Sequence, residues 1–185
     1  MSELLPPNLL AERAALIAEI HEAFRGVKRL GGVSWSEAQA LDDYEGPAEC
    51  AAARASDRET AWEDLLDDPK WHHQAYGGGF TFLDSIGFRY YIAPAMIRVL
   101  RGEDEGFVPY ALTYDVMHES EGKEALVHDG RENWQRIDAR QRLCIARFLQ
   151  HMRTIDHLDD PDFGYSDWGR ALDQYWGRFL PSGPV

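Results

Sequence analysis

The chain has 185 residues, 44% of them hydrophobic and 12% aromatic, which is enough apolar material to close one core and too much for a disordered chain. Its 32 acidic and 19 basic side chains give a formal net charge of −13, which sets it against a phosphate-backbone partner such as nucleic acid. Cys50 and Cys144 form no CxxC pair, so zinc ribbons and thioredoxin-like chemistry are excluded, and both read as reduced thiols.

The first residues show no basic segment followed by an apolar run, and no window approaches a membrane span. A cytoplasmic protein without membrane contact is therefore expected. The acid is concentrated in residues 42–68, 102–124 and 156–167, and the compensating base in Arg131, Arg136, Arg140, Arg142, Arg147 and Arg153.

In chain order, Pro6-Pro7-Asn8 predicts a helix entry with Asn8 as its cap. Leu9, Leu16, Ile17, Ile20, Ala23, Phe24 and Val27 then recur at helical spacing. Gly26 and Gly31-Gly32 end that helix. Ser34 and Glu37 stand at capping-box spacing and start a short helix through Leu41. Asp42 to Pro47 is a breaker, and Ala48 to Ala55 reads as a helix with almost no apolar face.

Asp68-Pro69 predicts a short helix ending at Gly77. The glycines 77–79 lack the Lys and Ser/Thr of a phosphate loop and read as a turn. Tyr76, Phe80, Phe82, Phe88, Tyr90 and Tyr91 make the densest aromatic stretch. Pro94 biases Ala93 toward extended backbone and predicts a helix opening there, through Leu100 to Gly102. A short element is expected around Ala111 to Met117.

Asp138 with Gln141 is a second capping-box start, followed by a stripe of Ile137, Cys144, Ile145, Phe148, Leu149, Met152 and Ile155. After a loop, Asp156 to Tyr165, a last helix over 167–179 presents Trp168, Leu172, Tyr175, Trp176 and Phe179, and residues 181–185 form a disordered tail. The expectation is one compact, mainly α domain over 1–185 with an aromatic-rich core, with room for a few short strands. Residues 1–55 form its least determined helical part.

The run Phe82-Leu83-Asp84-Ser85-Ile86-Gly87-Phe88-Arg89-Tyr90-Tyr91 with Pro94-Ala95 resembles the signature of a bacterial domain-of-unknown-function family. The helix with Gln141, Phe148 and Leu149, the closing Tyr175-Trp176, and Trp62 with its acidic neighbours fit the same resemblance, which covers the C-terminal two-thirds. It implies a bacterial origin and a helix-rich single domain. It carries no established reaction or catalytic residues.

Among candidate sites, the aromatic block with Arg89 and Tyr90 has the side chains for stacking a planar group or holding an anion, but clusters of this size are ordinarily core. Asp84 and Arg89 read as a local cap and salt bridge. His72 and His73 lie near Glu63, Asp64, Asp67 and Asp68, and His151 and His157 near Asp159, Asp160 and Asp162. Neither group has a recognised ligand spacing, so no metal and no cofactor are expected. Cys144 falls on the buried stripe, where a thiol is inert.

Arg136, Arg140 and Arg147 fall opposite the apolar stripe and form a cationic ridge. Their expected role is to balance the acidic segments 42–68, 102–124 and 156–167; the competing role is a docking face for an acidic partner or anion. Two functions follow. One is a non-enzymatic interaction protein with a protein partner, of the immunity-protein or scaffold kind; the other is a hydrolase using the His and carboxylate groups, with or without a metal. Oligomeric state leaves no mark in the sequence.

Overall fold

The computed structural model describes residues 5–73, 79–103, 106–113, 131–159 and 166–181. In chain order it runs α1 (Pro7–Ala23), α2 (Trp35–Asp42), α3 (Pro47–Ser56), 3-10 turns at Trp62–Leu65 and Gly79–Thr81, and α4 (Ser85–Leu100). Then come α5 (residues 108–113), α6 (Arg131–Trp134), α7 (Ala139–Asp159), α8 (Asp167–Gln174) and a 3-10 turn at Trp176–Phe179. The protein is mainly α, and no strand occurs among the described residues.

The centre is α4. Twelve of its sixteen residues are buried, as expected of a helix that is apolar all round. Its start corrects the sequence reading. Asp84 is the N-cap, its Oδ1 accepting from Gly87 N at 2.7 Å, and the helix runs straight through Ala93 and Pro94. An interior proline costs about 3 kcal/mol, but each large apolar side chain that α4 buries returns about 1.5–3 kcal/mol. With Phe88, Tyr91, Ile92, Met96, Ile97 and Leu100 all at most 2% exposed, burial decides.

The loop ahead of α2 crosses the first turn of α4 at two glycines. A Cβ on Gly87 would run into the carbonyl oxygen of Val33, and one on Gly32 would lie 2.6 Å from Ile86 Cβ. The crossing is tied by Val33 N donating to Asp84 Oδ1 at 3.1 Å.

Elsewhere, α1 begins at Pro7 with Pro6 as its cap and no capping side chain. Asn8 is therefore not the cap, because Pro at the first position has no amide to satisfy. The helix ends at Ala23, short of Val27. Ser34 and Glu37 make the expected capping box of α2, and α3 is exposed apart from buried Cys50 and partly buried Ala53 and Arg54. Asp68-Pro69 opens no helix: Asp68 Oδ1 takes the amide of Lys70 at 2.9 Å, a local turn. The predicted end at Gly77 lies outside the described residues, as do 114–117 and the tail 182–185.

α7 starts at its capping box, Gln141 N to Asp138 Oδ1 at 2.9 Å and Asp138 N to Gln141 Oε1 at 3.2 Å. It packs on α1, α8 and the last 3-10 turn. The final predicted helix divides: α8 stops at Gln174, because Tyr175 sits at φ −139°, ψ −59°. The same inner face survives, with Trp168, Leu172 and Trp176 at most 3% exposed. The buried indoles of Trp62 and Trp176 find carbonyls, Trp62 Nε1 at Phe24 O (3.0 Å) and Trp176 Nε1 at Leu112 O (2.9 Å).

Candidate functional site

Tyr90 and Arg89 part company on α4. Tyr90 is 1% exposed and packs edge-on to Tyr91, ring centres 5.0 Å apart; burial pushes its hydroxyl above the usual range. Arg89 reaches the start of α7, its Nε 2.9 Å from Gln141 Oε1 and Nη2 3.4 Å from Asp138 Oδ2. The expected pair with Asp84 does not form, since Asp84 is occupied by the amides of Val33 and Gly87. Fully buried Gln141 also donates Nε2 to Ala23 O at 3.0 Å. Gln141 thus joins α1, α4 and α7, and its amide serves as both donor and acceptor.

The arginine ridge is placed differently from the sequence reading. Arg147 and Arg140 flank the buried stripe of α7 where it meets α1, and their partners are Glu19 at 2.9 Å and Glu22 at 3.7 Å. His151, fully buried on the same helix, has Nδ1 3.4 Å from Glu12 Oε2. Glu12, Glu19 and Glu22 on α1 therefore face His151, Arg147 and Arg140 on an antiparallel α7. Among the described residues, Arg140 and Arg147 balance the acid of α1, with no partner from the three acidic segments. Charges at seven-residue spacing that flank an apolar seam meet their counterparts on the neighbouring helix. Arg136 is exposed and forms no ion pair among the described residues.

Other polar groups of catalytic type also serve the fold. Tyr91 Oη donates to Glu59 Oε1 at 2.7 Å and accepts from Trp35 N at 3.0 Å. Glu59 also meets Arg29 Nε at 3.2 Å, with side chains 8% and 15% exposed. Burial, then the Glu59 charge, drives the Tyr91 hydroxyl above its usual range. Arg142 gives its three guanidinium nitrogens to Ile137 O (2.8 Å), Tyr175 Oη (2.6 Å) and Trp134 O (3.0 Å).

Of the histidines, His72 and His157 are exposed, while His73 and His151 are buried. His72 and His73 thus face apart. Asp67 pairs with Arg101 at 2.8 Å and Asp64 takes the amides of Thr60 and Ala61. Those amides, with the Thr60 hydroxyl, hold the Asp64 carboxyl below its usual value. Among the described residues no three His, Cys, Asp or Glu side chains converge as a metal site requires. The thiol of Cys144 is fully buried, and burial pushes its pKa up to about 12.

Sequence reasoning missed the corner where α2 meets α3. Tyr44 is 94% exposed at φ +57° and Leu41 is 37% exposed, with Tyr44 N donating to Leu41 O at 3.2 Å. Beyond them Ala48, Ala51, Ala52 and Ala55 of α3 are exposed. The signal was present: a tyrosine inside an acidic breaker, followed by a helix with no side chains suited to a core.

Fold and geometry together define a small helical domain whose buried polar groups tie helices to each other and whose large exposed aromatic stands on a short outer hairpin. The chain belongs to the family described as "Family of unknown function (DUF6714)", which matches residues 12–179. No curated protein and no solved structure matches it.

Proposed function

We propose that the chain is a non-catalytic binding protein that works by holding a protein partner in the cytoplasm. The observation that carries this reading is Tyr44, a large aromatic side chain 94% exposed on left-handed backbone. A left-handed conformation costs a non-glycine residue about 1–2 kcal/mol; the backbone there closes α2, with Tyr44 N on Leu41 O and Glu45 N on Ala40 O, but the exposed ring adds no burial to the fold. Aromatic anchors dominate binding energy at protein interfaces. The internal use of Glu59, Tyr91, Arg142 and Arg147 supports the same reading, since these groups are occupied in holding helices together. Both cysteines are free and buried, in line with a reducing compartment. No helix among the described residues is long and apolar enough to cross a membrane.

The test is affinity capture with the purified chain, followed by reconstitution with the captured protein in pure form and calorimetry. Saturable, stoichiometric binding is expected. Turnover of ester, phosphate or peptide substrates that disappears in a His72→Ala, Glu63→Ala variant would overturn the reading in favour of a hydrolase.

A further inference from the structure

We propose that the docking surface is the α2–α3 corner around Tyr44 and that its occupant is a basic, amphipathic helix of a partner protein. This rests on the reading of the chain as a binding protein and names the partner's chemistry.

The shape of the corner favours a helix. At 100° per residue, Ala48, Ala51, Ala52 and Ala55 share one arc of α3, and all four are exposed while the opposite side buries Cys50. Alanine carries nothing beyond Cβ, so a second helix can approach to the short end of the 8–10 Å range of helix packing. Leu41 and Tyr44, exposed in the turn that leads into α3, supply larger anchors. A strand would need a free sheet edge to pair with, and the described residues contain no sheet.

Charge selects the sign of the partner. Residues 41–56 contain Asp42, Asp43, Glu45 and Glu49 and a single base, Arg54. Arg54 is turned inward along the hairpin, with Nη2 2.7 Å from Glu37 Oε2 and Nη1 2.9 Å from Gly32 O. Asp43, Glu45 and Glu49 are exposed, and Glu49 Oε2 lies beside Gly46, next to the Tyr44 turn. The anchors are therefore rimmed by carboxylates. A phosphate backbone or an acidic helix would be repelled. A second copy docking by the same face would set one acidic rim against another, because a two-fold contact apposes the same patch of both copies. An apolar stripe flanked by Lys or Arg complements the corner in both respects.

The probe is a fluorescent amphipathic peptide with leucine on one helical face and lysine on the other, followed by anisotropy. A companion peptide carries glutamate in place of lysine. The parent chain should bind the lysine peptide saturably, more weakly at higher salt, and should ignore the glutamate peptide. Tyr44→Ser and Ala52→Arg should each change affinity, Tyr44→Ser weakening it about tenfold or more. Ala52→Arg, which adds bulk and positive charge to the approach surface, should abolish it. Both positions are exposed, so melting followed by circular dichroism should show both variants folded. Leu158→Ser, at an exposed site on α7, should bind like the parent.

No binding of the lysine peptide, equal binding of the glutamate peptide, or equal binding by the two corner variants overturns the proposal. So does a parent dimer that Tyr44→Ser dissolves, since the occupant is then a second copy. If a partner found by capture binds the corner variants as tightly as the parent, this surface is wrong while the binding function stands. If the parent holds no protein and turns over a substrate, the binding function itself falls.

Discussion

Arg147 of α7 places Nη1 3.0 and 2.9 Å from the two carboxylate oxygens of Glu19 on α1, across 128 residues of sequence. The pair lies at the edge of the α1–α7 seam, with side chains 43% and 24% exposed. Water screens such a pair, so the coupling is small. A double-mutant cycle of Arg147→Met with Glu19→Gln should return about 0.3–1 kcal/mol, shrinking as salt is raised. A coupling near zero at low salt would mean that the seam is held by its apolar residues alone.

Tyr91 is the internal polar group whose loss should be felt. Tyr91→Phe leaves Glu59 without its phenol donor and the amide of Trp35 without its acceptor. Denaturant unfolding should show a loss of about 1–3 kcal/mol. The folded-state pKa of this hydroxyl is raised above 10.0, so the protonated phenol is the form that the fold stabilises. That contribution is full below pH 10 and is lost as pH rises through the folded value. Alkaline unfolding should therefore begin at higher pH in Tyr91→Phe than in a variant of equal stability that keeps the phenol.

Phe148 is fully buried and meets Trp168 edge-on, ring centres 5.5 Å apart. Phe148→Ala should cost about 3–5 kcal/mol through lost burial and the cavity left behind. One helical turn away, Cys144 should react with a thiol reagent at neutral pH only when the fold opens, because burial keeps it protonated. Labelling rates that rise in Phe148→Ala in step with its lost stability would check both statements at once.

Gly87→Ala should cost about 1–3 kcal/mol, since the new methyl meets the Val33 carbonyl and lies 3.0 Å from Leu83 Cδ2. Gly31→Ala, where nothing lies within 4 Å, should be neutral or mildly stabilising. Thermal melts of the two variants side by side separate close helix-to-loop approach from a general dislike of substituting glycine.

Leu30 sits at φ +50° and is 82% exposed. Leu30→Gly removes the steric cost of the left-handed conformation while giving up no burial, so stability should hold or rise by up to about 1 kcal/mol. A loss of stability in chemical denaturation would show that Leu30 makes contacts important to the fold.

The helix-rich class, the capping boxes at Ser34–Glu37 and Asp138–Gln141, and the buried faces of α1, α7 and α8 were legible in the sequence. Each depends on neighbours three or four positions apart, and that spacing is written along the chain. The same locality explains why α3 read as a helix with almost no apolar face, of which only Cys50 is buried. Tertiary structure alone decided that α4 continues through Pro94, because the burial that outweighs the proline comes from α1, α6 and the Trp62–Leu65 turn. It also decided that Arg140 and Arg147 answer Glu22 and Glu19: charge pairing across two helices depends on which faces meet, and packing sets that. The Tyr44 corner belongs to the same class, since a residue's exposure depends on where every other part of the chain packs.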